Sequence, residues 1–180
     1  MERNEEIILI VKECLQGNTK SQRKLFKTFY SCAMTVCMRY ANSSEEAEDM
    51  LNEGFVKVFS NLDKYKEMNT FEAWLKRVVA NAALDYRRKF IKDVDFVNFD
   101  DVSYDIPDQN VSTALSQISA KEMMNFVQSL PETSKIVFNM FVFEGFSHAE
   151  IAKTLQITES TSAWHVNNAR NRLKKMILDK

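Results

Sequence analysis

The sequence predicts an all-α fold: two small helical domains joined by an acidic flexible linker. Three observations carry that expectation. Glycine (three) and proline (two) are scarce in 180 residues, whereas strands and tight hairpins use both heavily. Apolar residues recur every three or four positions through most of the chain, the period of a helix with one buried face. Residues 92–111 interrupt that pattern with six Asp, Pro107 and no sustained period.

The elements follow in order. Residues 4–16 read as a short helix ending at Gly17, and 19–40 as a second with Leu25, Phe26, Phe29, Ala33 and Val36 inward. Ser43 or Ser44 caps a third helix, Ser43 with Glu46 fitting a capping box, and its Ala47, Met50, Leu51, Phe55, Val58, Phe59 and Leu62 keep helical spacing. A loop at 63–70 precedes a fourth helix from Phe71 to about Lys89. Its stripe Phe71, Trp74, Val78, Ala82 predicts Trp74 as core. The domains are therefore 1–91 and 112–180, with 92–111 as linker. A fifth helix is expected over about 112–129, and Pro131 at a first-turn position opens a sixth.

Residues 147–175 read as two helices around a tight turn. Ser147 and Glu150 form a second capping box, followed by Ile151, Ala152 and Leu155 on one face. Ile157 sits in the turn, and Thr158 is the N-cap of a last helix with Ser162, Val166, Ala169 and Leu173 inward. The opposite face carries Ser160, Ala163, Trp164, Asn167, Asn168 and Asn171, and the basic run Arg170, Arg172, Lys174 and Lys175 follows. This is the layout of a helix-turn-helix whose second helix enters the DNA major groove.

Charge is distributed unevenly. Residues 1–90 carry 15 Lys/Arg against 13 Asp/Glu, residues 131–180 carry 7 against 5, and residues 91–130 carry 2 against 7. Neither end is basic enough to hold DNA tightly through phosphates alone, so a partner supplying most of the DNA affinity is expected. Cys14, Cys32 and Cys37 show no C-x-x-C spacing and read as free thiols in a reducing cytoplasm. No run of apolar residues is long enough to span a membrane, and no secretory leader is apparent. His148 and His165 lie in no Glu-x-x-His pair, and the chain has no phosphate loop, nucleophile elbow or zinc signature. No metal, no cofactor and no catalysis are expected of it.

Two segments together resemble one family. Ser44-Glu-Glu-Ala-Glu-Asp-Met-Leu-Asn-Glu-Gly-Phe-Val-Lys-Val-Phe59, continuing through Asp63-Lys64-Tyr65, and Phe71-Glu-Ala-Trp-Leu-Lys-Arg-Val-Val-Ala-Asn-Ala-Ala-Leu-Asp-Tyr-Arg-Arg-Lys89 are similar to the polymerase-clamp and promoter-melting helices of bacterial RNA polymerase sigma factors. The type is the small extracytoplasmic-function (ECF) one. The segment from Leu130-Pro131-Glu132 through Glu144-Gly145-Phe146-Ser147 to the last helix resembles the family's fourth domain. The resemblance implies a cytoplasmic, non-enzymatic subunit that directs core RNA polymerase, through its clamp and flap, to promoter DNA. It leaves room for a cognate anti-sigma factor.

The resemblance also implies roles for particular residues. Asp49, Asn52 and Glu53 share one helix face and would dock on the clamp, with Asn52 standing where the family usually has Gln. Lys64, Lys66, Met68 and Asn69 belong to the loop that builds a pocket for a flipped base, and Asn81 is the amide that reads it. Lys76, Arg77, Arg87, Arg88 and Lys89 would hold phosphates. On the last helix Ala163, Trp164, Asn167 and Asn168 occupy the positions of the upstream-element readers, with Ser160, Thr161 and Arg172 also counted among the DNA-binding residues. Asn can read adenine through paired hydrogen bonds. Gln156 stands where the turn often has Gly, at a cost of roughly 1 kcal/mol if left-handed, and Ser162 replaces an inward apolar residue. The linker would thread the polymerase; about 20 residues span at most about 65–70 Å. Two other readings compete: a helix-turn-helix regulator with an N-terminal sensing or dimerisation domain, and a polymerase-binding adaptor that does not melt promoters. Residues 44–89 discriminate against both, because a ligand sensor has no reason to carry them.

Overall fold

The computed structural model describes residues 2–66, 70–90 and 118–179 and divides into two compact units, Met1–Lys92 and Asp93–Lys180. Every regular element among the described residues is helical. Expectations that fall on 67–69, on the linker and on 112–117 lie outside the described residues.

The first unit packs four helices: α1 (Glu2–Leu15), α2 (Thr19–Tyr40), α3 (Ser44–Ser60) and α4 (Phe71–Phe90). Gly17 takes φ +81 after α1, a conformation glycine adopts without a Cβ penalty. Asn18 then caps α2 by accepting hydrogen bonds from Lys20 N (3.0 Å) and Ser21 N (3.2 Å). Leu25, Phe29, Ala33, Val36, Cys37 and Tyr40 form the buried stripe of α2 and meet Met50, Leu51, Phe55 and Val58 of α3 and Leu75 and Val79 of α4 in one core. At Gly54 a Cβ would stand 3.4 Å from both Val79 methyls, so glycine lets α3 and α4 approach closely. A single 3₁₀ turn, Leu62–Lys64, leads out of α3.

Two local expectations need correction here. Ser43 caps α3 by accepting from Glu46 N (3.1 Å), but Glu46 does not close the box. Its carboxylate accepts instead from Asn42 N (2.6 Å) and from Arg87 (3.5 Å). The inward stripe of α4 runs through Phe71, Leu75, Val79 and Ala82, so Trp74 and Val78 lie half-buried at its margin rather than in the core.

The second unit holds α5 (Ala120–Gln128), α6 (Glu132–Val142), α7 (His148–Leu155) and α8 (Glu159–Leu178). Ile118 and Ser119 are not helical, so no helix runs unbroken from 112 to 129. The start is set by a reciprocal capping box: Ser119 Oγ accepts from Glu122 N (3.2 Å) and Glu122 Oε2 from Ser119 N (3.0 Å). Pro131 is the N-cap of α6 rather than part of its first turn. Val127, Leu130, Phe138, Ala169 and Leu173 make the core between α5, α6 and α8.

Candidate nucleic-acid and protein interfaces

On α3 the positions left over by the buried stripe form a face of their own. Asp49 and Asn52 are exposed and Glu53 is half-buried, one helical turn apart. Val56, the next member of that row, is 66% exposed. Val56 therefore adds one apolar member to an otherwise acidic and amide row. Asp49 accepts a hydrogen bond from the Tyr86 hydroxyl of α4 (3.1 Å). Desolvation, then Asp49 itself, pushes the Tyr86 pKa up, so the phenol stays a proton donor to the carboxylate.

On α4 the polar side chains sort into three kinds. Asn81 is exposed. Arg88 is exposed and bonds loosely to Asp85 (3.6 Å), which also takes Lys57 of α3 (2.5 Å). Lys76 pairs with Glu72 (2.6 Å), a hydrogen bond that raises its pKa, and Arg77 is half-buried. Arg87 overturns an expectation. Only 5% of its side chain is accessible, and it donates to the Tyr40 carbonyl (3.1 Å) and Glu46 (3.5 Å), so it ties α4 to the end of α2 and the start of α3. It is a strut of the fold and not a phosphate contact.

The loop before α4 is anchored by aromatic rings. Phe71 contacts Phe29 (centroids 4.9 Å), Tyr65 (5.2 Å) and Trp74 (5.4 Å), and Tyr65 lies 5.6 Å from Trp74. Lys64 donates to Asn61 Oδ1 (2.7 Å), and Lys66 is exposed at the edge of the loop. Met68 and Asn69 lie outside the described residues.

In the second unit α7 and α8 form the helix-turn-helix. Ser147 and Glu150 make the reciprocal box (3.2 and 2.8 Å). Gln156 ends α7 at φ 58, ψ 41, the left-handed conformation expected of the turn. Thr158 caps α8 by accepting from Thr161 N (3.0 Å). Ser162, Val166, Ala169 and Leu173 are buried. Ser160, Asn167 and Arg172 are exposed; Ala163, Trp164, Asn168 and Asn171 are half-buried. Thr161 does not join them. It is 4% exposed, and its hydroxyl bonds Thr158 Oγ1 (2.7 Å), so it is part of the cap and cannot reach a base. Arg172 Nε donates to Asn168 Oδ1 (2.9 Å), fixing the amide's orientation; the i, i+4 spacing on one helix is the sequence signal for this link. Arg170 lies over the Phe141 ring at 5.8 Å.

Comparison with known proteins agrees with both halves. The family model for Sigma-70 region 2 matches residues 25–90, and that for Sigma-70, region 4 matches residues 120–173. The RNA polymerase sigma-H factor of Pseudomonas aeruginosa is 23% identical over 178 residues, covering 93% of this chain and 92% of that protein. The ECF RNA polymerase sigma-E factor of Escherichia coli K12 is 22% identical over 94% of this chain and 93% of its own. Among solved structures, the sigma factor RpoE in complex with the anti-sigma factor NepR from Bartonella quintana superposes with a TM-score of 0.54 at 20% identity, over 89% of this chain and 98% of that one. CnrH in complex with the cytosolic domain of CnrY gives 0.52 at 19% identity, over 95% and 96%. An all-helical chain with region 2 and region 4 in this order belongs to the sigma-70 family and is an RNA polymerase sigma factor of the extracytoplasmic-function type.

Proposed function

We propose that the chain uses its first unit to bind polymerase and DNA at once, and its second to read the upstream promoter element. The observation that carries this is the opposite character of two neighbouring exposed faces. The α3 face, Asp49, Asn52, Glu53 and Val56, is acidic with one apolar member. It suits a basic, partly apolar protein surface such as a helix of the polymerase clamp, and it would repel DNA. The α4 face offers exposed Asn81 and Arg88 with half-buried Arg77 beside them, a layout for phosphates flanking an amide that can bond a base edge. Exposed Lys64 and Lys66 add positive charge ahead of that helix, and Lys76, held by Glu72, is kept with them as a phosphate contact; Met68 and Asn69, outside the described residues, are assigned to the base pocket on the family likeness alone. Once the duplex opens, Asn81 holds the flipped base and so favours the melted state.

In the second unit Asn167 and Asn168 read bases, Ser160, Ala163 and Trp164 line the groove, and Arg172 both holds Asn168 and approaches the backbone. The chain supplies recognition and strand separation and carries no catalytic chemistry of its own. It acts in the cytoplasm, where polymerase and DNA are. Among the described residues no helix is long and apolar enough to cross a membrane. The likeness to RpoE with NepR and CnrH with CnrY supports a cognate anti-sigma partner. The family match to region 2 removes the ground for a sensing or dimerisation domain.

Charge reversal at Asp49 and Glu53, both to Lys, tests the polymerase face. Co-purification with core polymerase should be lost while helix content is kept, because the face lies outside the core. Unchanged co-purification would remove α3 as the docking surface.

A further inference from the structure

Two imidazoles tie α8 to the rest of its unit. His165, on α8 itself, is 3% exposed, and its Nδ1 lies 3.0 Å from the hydroxyl of Ser134 on α6, also buried. His148, at the start of α7, bonds the buried Ser162 hydroxyl through Nδ1 (2.9 Å) while its ring stacks on Phe141 of α6 (4.4 Å, 12°). The polar Ser162, unfavourable on sequence grounds, is therefore satisfied. Each bond joins α8 to a different helix, and the two attachment points, Ser162 and His165, lie one turn apart on the buried side of α8 beside Val166.

We propose that His165–Ser134 and His148–Ser162 are positioning pins that set the angle of the recognition helix, and that upstream-element reading requires His165 to be neutral. The second half follows from a vacancy in the hydrogen bonding. His165 Nε2 is buried with no hydrogen-bond partner among the described residues. A neutral ring leaves one nitrogen unsatisfied, at moderate cost. An imidazolium would bury a charge and a second N–H with no acceptor, which is far costlier. Charged groups on the neighbouring helices are engaged elsewhere: Glu132 with Lys135 on α6 (2.8 Å), Glu150 in its cap on α7, and Glu122 in its cap on α5. Lys153 on α7 is exposed and Glu144 beyond α6 is buried, and no charged group contributes to the shift of His165, which comes from burial. Arg170, on the same helix as His165, lies over Phe141.

Burial alone lowers the His165 pKa. The sign follows. The folded state favours neutral imidazole, so the pin is complete above the ordinary histidine value of about 6.5 and weakens as pH falls below it towards the depressed value. Trp164 sits edge-on to the His165 ring, centroids 4.9 Å apart, and so provides a reporter that needs no DNA.

This inference rests on α8 being the DNA reader, and the experiment separates the two. In holoenzyme, preference for an intact over a mutated upstream element is measured from about pH 7.5 down to the lowest pH at which core polymerase still initiates, for the wild type, H165Q and S134A. Gln keeps a neutral partner for Ser134. All three proteins keep His148, so the share of His165 is the difference between them: the wild type should lose about fivefold more preference than H165Q, the size of one hydrogen bond, and S134A should already be impaired at the higher pH. In parallel, Trp164 emission in free W74F protein should titrate, and the titration should vanish when H165Q is added. An emission titration that survives H165Q overturns the pin. An emission titration lost in H165Q, with upstream preference equally pH-dependent in wild type and H165Q, overturns the positioning role. If N167A and N168A also leave upstream preference unchanged, α8 is not the reader.

Discussion

Arg87 offers the sharpest separation between a residue that builds the fold and one that touches DNA. It sits in the run Arg87-Arg88-Lys89, which on sequence alone is a uniform basic patch. The structure divides it: Arg87 is 4% exposed and bonds the Tyr40 carbonyl and Glu46, whereas Arg88 is exposed. A hydrogen bond to a charged group contributes about 1.5–3 kcal/mol, and breaking a buried ion pair costs about 3–5 kcal/mol. The Glu46 contact is long, at 3.5 Å, and its carboxylate is 19% exposed, so its share is small. Arg87→Ala is therefore expected to destabilise the first unit by about 2–4 kcal/mol, a drop in Tm of more than about 8 °C for a domain of this size. Arg88→Ala should change stability by less than about 0.5 kcal/mol. Urea and thermal unfolding followed by Trp74 fluorescence in a W164F background report this unit by itself, since each unit holds one tryptophan. Promoter binding should show the reverse pattern. Arg88→Ala lowers the salt slope by about 0.7–0.9, one phosphate contact, and Arg87→Ala, assayed well below its Tm, does not. A stable Arg87→Ala protein with a reduced salt slope would refute the strut and return Arg87 to the DNA.

Other substitutions probe the remaining surfaces. Asn81→Ala should impair open-complex formation, read by permanganate footprinting, more than initial binding in a mobility-shift assay; equal loss in both would indicate a folding defect. Asn167→Ala or Asn168→Ala should lower upstream-element preference by about tenfold, as expected for one lost bidentate contact. Arg172→Ala frees the Asn168 amide and should weaken that preference as well as binding to all sequences, checked by transcription from templates altered one element at a time. Gln156→Gly should stabilise the second unit by up to about 1 kcal/mol, because glycine adopts the left-handed turn at φ 58 without strain; unfolding followed by Trp164 fluorescence measures it.

What the sequence made legible was local. Ser147 with Glu150 is three residues apart, so the cap, the turn at Gln156 and the inward stripe Ser162, Val166, Ala169, Leu173 follow from neighbours along one helix. The all-helical class follows from the same short-range periodicity. What stayed hidden was set by distant partners. Arg87 is buried because the Tyr40 carbonyl lies beside it, 47 positions earlier, whereas Glu46 leaves its box chiefly for the nearby Asn42 N–H (2.6 Å) and only loosely for the guanidinium (3.5 Å). Thr161 is the exception: the Thr158 hydroxyl that claims it is only three positions away, so the N-cap at Thr158 carried the signal that Thr161 turns inward. Trp74 is at the margin because Leu75 and Val79, not Trp74 and Val78, face Gly54 and the α2–α3 core. Ser119 and Glu122 carried the same local signal as Ser147 and Glu150, and the start of α5 was readable from them.

The central claim is that this chain confers promoter specificity on core polymerase. Transcription reconstituted from purified core polymerase and this chain, on fragmented genomic DNA with start sites mapped, tests it most directly. Initiation at discrete sites sharing an upstream and a downstream element is predicted, absent with core alone and absent when Asp49 and Glu53 are both changed to Lys. Start sites no different from those of core alone, from a chain that demonstrably binds the polymerase, would contradict it.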